Sequence, residues 1–197
     1  MKKSMLAALA LGCALALALV GCSSGGASSA ASSSASEEAS SSAEASSQAS
    51  VANPWSDVAD IAAAIAGAGI DGFNIPEGLE IGLGKVDFSS FRCMDGLVEA
   101  VCDFPAVQMT LRKGLGSVAE NGDISGDYNE YKNTWTQDID GVEVTCSGNR
   151  EGEATKTVWT DGDDCYSINV LGLGGDDDYG LPADDLAALV SAIMKAA

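Results

Sequence analysis

The stretch at residues 140–148, Asp-Gly-Val-Glu-Val-Thr-Cys-Ser-Gly, decides the fold class. Its first two residues are typical of a tight hairpin turn. After them, apolar residues at 142, 144 and 146 alternate with polar ones. Successive side chains of a strand point to opposite faces of its sheet, so this pattern predicts a strand with one buried and one polar face.

The same alternation recurs on both sides of this stretch, at 107–112 and 166–171, with turn dipeptides such as Asp95-Gly96 and Asp161-Gly162 between the runs. Short strands separated by polar turns favour an antiparallel meander. The sequence therefore predicts an α+β domain with a sheet of about six to seven strands. The predicted strands lie near 79–88, 97–103, 106–113, 131–139, 141–148, 153–160 and 164–172.

Two helices are expected to pack on one face of this sheet. The N-terminal one would begin at Ser56 as its N-cap and end at Gly67 and Gly69. The C-terminal one would begin at Pro182, with Asp184 and Asp185 at its positive end. Its apolar stripe has helical spacing and predicts a buried face. The stripe consists of Leu186, Leu189, Val190 and Ile193.

The N-terminus carries a targeting signal. Lys2 and Lys3 precede an apolar run at 5–20, which is short for a membrane span, and then come Gly21 and Cys22. This arrangement resembles a bacterial lipoprotein signal peptide. The resemblance implies cleavage before Cys22 and attachment of a diacylglyceryl lipid, palmitate included, to its sulfur. An ordinary secretory signal cut near Ala27, or an uncleaved anchor, are the alternatives.

This signal divides the chain into three parts. Residues 1–21 would be the signal peptide, and 22–52, rich in Ser and Ala, a disordered tether behind the lipidated cysteine. Residues 53–197 would form a single globular domain. We therefore expect a protein held on the extracellular face of the cell membrane, with the lipid bilayer as its partner through Cys22.

Charge narrows the classes of partner. The full chain has a net charge of −19, and loss of Lys2 and Lys3 leaves 8 basic against 29 acidic residues, a net charge of −21. Nucleic acid is not expected as a partner, because phosphate binding requires clustered Lys and Arg. The chain also has no histidine. This argues against common catalytic triads, so no catalytic residue, cofactor or metal site is predicted.

Four cysteines of the predicted domain are candidates for disulfides in an oxidising compartment. Their spacing contains no Cys-x-x-Cys and does not fix the pairing. A direct bond between Cys146 and Cys165 is disfavoured, because the alternation places them on opposite faces of their strands. Free buried thiols are the alternative. The candidates are Cys93, Cys102, Cys146 and Cys165.

Residues 121–127, Asn-Gly-Asp-Ile-Ser-Gly-Asp, match the first half of a calcium-binding loop. Position 12 of such a loop would be Lys132, where a bidentate Glu is needed, and no helical pattern flanks it. We interpret the segment as an Asx turn that links two strands. The neighbouring Tyr128 and Tyr131 lie in a polar stretch and are the candidates for contact with a ligand.

One longer pattern resembles a known family. It comprises residues 111–114, 123–131, 141–144 and 159–168, of which Asp-Ile-Ser-Gly-Asp-Tyr-Asn at 123–129 is the most specific part. Over roughly 53–195 the chain resembles a domain of unknown function found in extracytoplasmic lipoproteins and regulatory proteins of Gram-positive bacteria. The resemblance implies an extracellular α+β domain and no established activity. The four cysteines depart from the usual pattern.

The leading hypothesis for function is a non-enzymatic surface lipoprotein that presents a binding domain. One alternative is an envelope sensor or accessory subunit that acts on a protein partner in the cell envelope. Another, of a different class, is a hydrolase that uses paired carboxylates, which would require a deep cleft with two perturbed acids. The sequence does not identify a small-molecule ligand.

Overall fold

The structure is a computed structural model, and it describes residues 53–119, 121–174 and 179–195. All of these lie in the compact unit Ser50–Ala197. The predicted signal peptide, Cys22 and the tether lie outside the described residues. The elements in chain order are β1 (Ser56–Val58), α1 (Ile61–Ala68), β2 (Glu80–Ile81), β3 (Gly84–Lys85), β4 (Phe88–Met94), β5 (Leu97–Asp103), β6 (Val107–Leu115), a 3-10 turn (Gly116–Val118), β7 (Asn133–Ile139), β8 (Val142–Gly148), β9 (Glu153–Ala154), β10 (Lys156–Asp161), β11 (Asp164–Gly172), β12 (Leu181–Pro182) and α2 (Ala183–Met194).

Eight strands form one antiparallel sheet in the order β1-β4-β5-β6-β11-β10-β8-β7. The α+β class is confirmed. The sheet consists of two meanders, and the last strand of the second, β11, pairs along its whole length with β6. The chain must therefore cross the sheet between β6 and β7, through residues 116–132. The remaining strands form two small antiparallel pairs, the hairpin of β2 with β3 and the long-range pair of β9 with β12.

The hairpin turn predicted at Asp140-Gly141 has the expected geometry. Ile139 pairs with Val142 across a two-residue turn, and Asp140 and Gly141 have φ values of 52° and 87°. Two successive residues with positive φ characterise the type I′ turn, whose twist matches that of paired strands. The Asp-Gly signal thus fixes the register of β7 and β8.

Two predicted strands need correction. The strand expected near 79–88 is replaced by the short β2–β3 pair, and β4 follows it at Phe88–Met94. The strand expected at 153–160 is divided at Thr155, because Ala154 pairs with Leu181 whereas Lys156 pairs with Asn169. The alternation of apolar residues does not reveal such a change of partner strand, because it depends only on which side chains are buried.

The N-terminal helix also begins later than predicted. Ser56 is not its N-cap, because Ser56–Val58 forms the edge strand β1 and pairs with β4. Asp60 caps α1 instead, where its carboxylate accepts a 2.8 Å hydrogen bond from the backbone N–H of Ala63. The helix ends at Gly69, which has the left-handed conformation.

The C-terminal helix follows the prediction closely. Pro182 immediately precedes α2, and Asp184 and Asp185 occupy its first turn, where the helix dipole favours negative charge. The four residues of the predicted apolar stripe are all buried. Both helices contribute to one apolar cluster with the strands, as the alternation of the strands requires. In the described part of the chain, none of the helices has the length and apolarity needed to span a membrane.

The two faces of the sheet differ in character. One face, under the helices, holds the apolar core, in which Trp159 stacks on Tyr166 with ring centroids 5.1 Å apart. The opposite face is polar across its centre, where Arg92 pairs with Glu99 and Glu99 with Arg112 in the strand register. This polar face is the one that the chain crosses between β6 and β7.

The predicted disulfides are absent among the described residues, where the cysteines are buried free thiols. The strand register explains why Cys146 and Cys165 cannot form a disulfide. Cys146 stands opposite Thr157, which stands opposite Ile168, so Cys165 lies two strands away and three residues along. At about 4.8 Å per strand and 3.3 Å per residue, the separation is about 14 Å, twice the reach of a disulfide.

A bond between Cys93 and Cys102 is also excluded by register, although their strands are adjacent. Cys93 stands opposite Val98, and four residues of strand separate Val98 from Cys102. That offset alone is about 13 Å at the usual strand rise. The prediction of disulfides is therefore wrong for this fold, and the alternative of buried thiols describes Cys93, Cys102, Cys146 and Cys165.

Candidate functional site

The segment that crosses the polar face, residues 121–132, is here called the covering loop. It is organised by polar side chains at every second position, each of which accepts a hydrogen bond from the backbone N–H two residues further on. The four successive bonds join Asn121 Oδ1 to Asp123 N (3.1 Å), Asp123 Oδ1 to Ser125 N (2.9 Å), Ser125 Oγ to Asp127 N (3.1 Å) and Asp127 Oδ1 to Asn129 N (2.9 Å). The Asx-turn interpretation is confirmed and extends over the whole loop.

The same residues are not arranged as a calcium loop. Their side-chain oxygens bond backbone N–H groups along the loop instead of converging on one point. Within the ranges that the structure describes, no group of three or more Asp, Glu, Cys or His side chains is placed to hold a metal ion.

Two side chains of the sheet fasten the covering loop by its backbone carbonyls. Arg112 Nη1 donates to the carbonyl oxygen of Ile124 at 2.8 Å. Asn169 Nδ2 donates to the carbonyl oxygen of Ser125 at 2.9 Å. Since buried backbone carbonyls need partners, these two bonds replace the strand pairing that the loop does not make. They hold the centre of the loop at β6 and β11.

Lys156 fastens the loop from a third strand, β10. Its ammonium group donates to the carbonyl oxygen of Asp127 at 3.2 Å and lies 3.3 Å from Asp123 Oδ2. Burial of the Asp123 carboxyl raises its pKa, but hydrogen bonds from Ser125 and the charge of Lys156 outweigh this effect and hold the pKa below its usual value. Asp123 is therefore stabilised as the charged form.

A charged triad lies beside these anchors. Glu99 is only 1% exposed and accepts hydrogen bonds from Arg92 and, at 2.7 Å, from Arg112. The ring of Trp55 covers both guanidinium groups, with its centroid 4.6 Å from Arg92 Cζ and 5.4 Å from Arg112 Cζ. Stacking of this kind suits the planar guanidinium, and a buried carboxylate requires such partners. The triad orients Arg112 toward the covering loop.

Between the covering loop and the polar face lies a cleft with a volume of about 380 Å³. This is within the range of roughly 300–1,000 Å³ that is usual for small-molecule sites. Its floor is formed by β6 and β11, one wall by the covering loop, and the other by the start of β10 and the turn after β8. The lining comprises Gln108, Thr110, Arg112, Asn169, Val170, Leu171 and Gly172 from the floor, Ser125, Gly126, Asp127, Asn129, Glu130 and Tyr131 from the loop, and Asn149 and Thr155 from the other wall.

One lining residue has an unmatched polar atom. Asn169 Oδ1 is buried and has no hydrogen-bond partner among the described residues, while its Nδ2 is committed to Ser125. Two positions before it on the same face of β11, the buried hydroxyl of Ser167 is also without a partner in the described part of the chain. Most buried polar atoms are paired, so each exception calls for an explanation. Asn169 lines the cleft, but a ligand can donate to this oxygen only after the side chain turns toward the cleft.

The two tyrosines predicted as ligand contacts have different positions. Tyr131 lines the cleft, and its hydroxyl donates to Asp127 Oδ2. Its ring also lies 6.0 Å from the ammonium nitrogen of Lys156. Tyr128 is 95% exposed and is not among the lining residues. The structure therefore brings one of the two predicted residues to the candidate site.

Sequence reasoning missed the floor of the cleft. The alternation at 107–112 and 166–171 places Thr110, Arg112 and Asn169 on the polar side of their strands but gives no sign of a cleft above them. A usable signal was the length of polar chain between β6 and β7, since a connection that long must cover part of the sheet. Its repeated Asx residues indicate an ordered path.

A buried lysine lies on the opposite, core-facing side of the sheet, where it stabilises the fold. Lys113 donates to the carbonyl oxygens of Asp71 (2.7 Å) and Gly72 (2.8 Å) and pairs with Asp164 at 2.8 Å. Burial lowers the pKa of Lys113, but the hydrogen bond and charge of Asp164 outweigh burial and raise it. Its donors fix the loop after α1 to the sheet, away from the cleft.

Comparison of the chain with family models, curated proteins and solved structures finds no match. The resemblance to an extracytoplasmic domain of unknown function therefore stays a prediction.

Proposed function

We propose that this chain is a lipid-anchored surface protein whose folded domain binds a ligand in the cleft without catalysing a reaction. Cys22 would carry the lipid, 22–52 would act as the tether and 53–197 would present the cleft beyond the membrane. The basic start, the apolar run and the small residue before Cys22 support the anchor. Two acyl chains suffice for stable attachment to a bilayer.

The single observation that carries the binding proposal is a cleft of about 380 Å³ that is lined mainly by polar side chains. Arg112 and the covering loop are held around it by specific hydrogen bonds. Preorganised polar groups in a concave site are typical of small-molecule sites. A rigid loop of this kind also lowers the entropy cost of binding.

The acids of the cleft favour binding over hydrolysis. Both oxygens of Asp127 accept hydrogen bonds, from the N–H of Asn129 and the hydroxyl of Tyr131. Glu130 is the second carboxylate of the lining and is exposed. A pair of catalytic carboxylates requires one group whose environment keeps it protonated near neutral pH. Neither oxygen of Asp127 is available for that role without breaking a structural bond.

The anchor is tested on the full chain expressed in a bacterial host that processes lipoproteins. Mass spectrometry of the N-terminal peptide should show a chain that begins at Cys22 and carries a diacylglyceryl group. Cys22→Ser should abolish the modification and release the protein from the membrane fraction, whereas Cys13→Ser, a change within the segment to be removed, should not. A mature chain that begins near Ala27 without lipid would contradict the proposal.

The binding site is tested by saturation-transfer NMR on the full-length protein in detergent, screened against a library of small polar molecules. Molecules that bind in the cleft should lose their signal in Asn169→Leu and keep it in Asn133→Leu, an exchange on the edge strand β7 outside the cleft. Molecules that bind the wild type and Asn169→Leu equally well, or the absence of any molecule that binds, would contradict a ligand-binding role for this cleft.

A further inference from the structure

We propose that the ligand of the cleft is an uncharged sugar of about disaccharide size. This inference rests on the proposed function and adds the chemical class of the ligand. It is carried by three features of the lining: charges engaged mainly within the protein, side chains that both donate and accept hydrogen bonds, and an aromatic ring at one wall.

Two of the three charged side chains that line the cleft are engaged within the protein, and the third, Glu130, is exposed to solvent. Arg112 is paired with the buried Glu99 at 2.7 Å, and Asp127 bonds Tyr131 and lies beside Lys156. An anionic ligand would meet the strongly negative charge of the chain, and a cationic ligand would meet the guanidinium in the floor. Burying either charge without a partner is costly. A neutral ligand avoids both penalties.

The polar groups of the floor match hydroxyl groups. Among the lining residues, Thr110 carries a hydroxyl and Gln108 an amide. Sugar hydroxyls donate and accept at the same atom, so one ring can satisfy several such groups at close spacing. A site of this kind rejects ligands without the matching donors, because its own buried polar atoms would stay unpaired.

The wall of the cleft supplies an apolar surface. The ring of Tyr131 lines it, with its hydroxyl fixed by Asp127, and Leu171 lies at the floor with 56% of its surface exposed. Aromatic side chains present a large flat surface at small entropy cost. The C–H face of a sugar ring is complementary to such a surface. A volume of about 380 Å³ accommodates one or two sugar rings.

The test is calorimetric titration of the full-length protein in detergent with four disaccharides of similar shape. Cellobiose and N,N′-diacetylchitobiose are neutral, chitobiose carries amines, and cellobiouronate, in which one hydroxymethyl group of cellobiose is oxidised, carries a carboxylate. At least one neutral probe should bind saturably, about tenfold or more tighter than either charged probe, since an uncompensated charge costs at least one hydrogen bond. Tighter binding of a charged probe, or no binding of the neutral ones, would overturn the sugar proposal.

Two matched variants test whether the disaccharide that gives the heat of binding is bound in the cleft. Thr110→Val removes one hydroxyl from the floor with almost no change of shape and should weaken binding of the neutral probe about fivefold to tenfold. Thr136→Val makes the same exchange on the same face of the sheet, at the edge strand β7, and should leave the affinity unchanged. An unchanged affinity in Thr110→Val would overturn the assignment of the site.

The two proposals fail in different ways. If library molecules of another chemical class bind in the cleft and neutral disaccharides do not, the sugar proposal is overturned. The proposal that the cleft binds a ligand then stands. If neither the library nor the disaccharides give a signal that depends on Asn169, both are overturned. Melting temperatures of Thr110→Val and Asn169→Leu confirm that each variant is folded before its affinity is read.

Discussion

The side-chain amide of Asn169 donates a 2.9 Å hydrogen bond to the backbone carbonyl of Ser125, 44 positions earlier in the chain. This contact joins the covering loop to β11, while the other atom of the amide, Oδ1, is buried without a partner among the described residues. One residue thus fastens the loop and lines the cleft.

Loss of the lysine anchor should loosen the covering loop. Lys156→Met keeps the length of the side chain and removes its bonds to Asp123 and Asp127. A partly buried charge-assisted hydrogen bond contributes about 1.5–3 kcal/mol, so a loss in this range is expected in chemical denaturation. Hydrogen exchange of the loop amides should also become faster. Lys85→Met, at an exposed position, is the control, and equal behaviour of the two variants would contradict the role of Lys156.

A methyl group at Gly126 should disturb the site more than one at Gly152. The two glycines have φ values of 67° and 77°, so alanine is strained at both, at a cost of about 1–2 kcal/mol. At Gly152 the new methyl group meets open space, whereas at Gly126 it collides with the guanidinium of Arg112, which Glu99 holds in place.

Denaturation of Gly126→Ala and Gly152→Ala separates these two effects. Gly126→Ala should lose about 1 kcal/mol more, the worth of the hydrogen bond that Arg112 must give up. It should also bind the ligand of the cleft more weakly. If both glycines tolerate alanine equally, Arg112 is not held as the structure describes.

Removal of the buried carboxylate should be costly. Glu99→Ala leaves two guanidinium groups without their common partner, and loss of one member of a buried charge pair costs about 3–5 kcal/mol. Glu143→Ala on the exposed side of β8 should change the stability by no more than about 0.5 kcal/mol. A loss in Glu99→Ala as small as that of the control would show that the triad contributes little.

Acid should weaken the covering loop through Asp123. Its pKa is lowered in the folded protein, so its contribution to stability is complete above the unfolded pKa of about 4 and is lost as the pH falls through the folded value. Melting curves between about pH 6 and pH 2 should fall less steeply for Asp123→Asn than for the wild type. Parallel curves for the two proteins would contradict a charge-dependent role for Asp123.

The four cysteines of the domain should resist alkylation until the protein unfolds. All are buried, and burial raises the pKa of the Cys102, Cys146 and Cys165 thiols, which keeps them protonated. Peptide mapping after iodoacetamide treatment, without reductant, should show modification at these sites only in denaturant. A disulfide-linked peptide from the native protein would show instead that the cysteines pair.

Much of the fold could be predicted from the sequence because one face of nearly every strand is buried. The alternation around Val144 and Ile168 and the Asp-Gly turn at 140–141 located β8 and β11, and the stripe that contains Leu189 located α2. The edge strand β1, which begins at Ser56, was not predictable in the same way. Whether Ser56 caps a helix or joins an edge strand depends on β4, which is distant in sequence.

The candidate site was less accessible to sequence reasoning. Tyr131 was found because an aromatic in a polar stretch suggests contact, but the same argument selected Tyr128, which is fully exposed. Arg112 and Asn169 lie on separate strands and meet only because β11 returns to pair with β6. Their alternation predicts a polar face, and only the path of the covering loop turns that face into a cleft.

The most direct test of the central claim is a map of amide chemical-shift changes in the isotope-labelled full-length protein as a neutral disaccharide is added. The account predicts that the largest changes fall on 125–131, Thr110 and the side-chain amide of Asn169, with little change at α1 or α2. Changes concentrated elsewhere on the domain, or none at saturating disaccharide, would contradict the assignment of this cleft as the binding site.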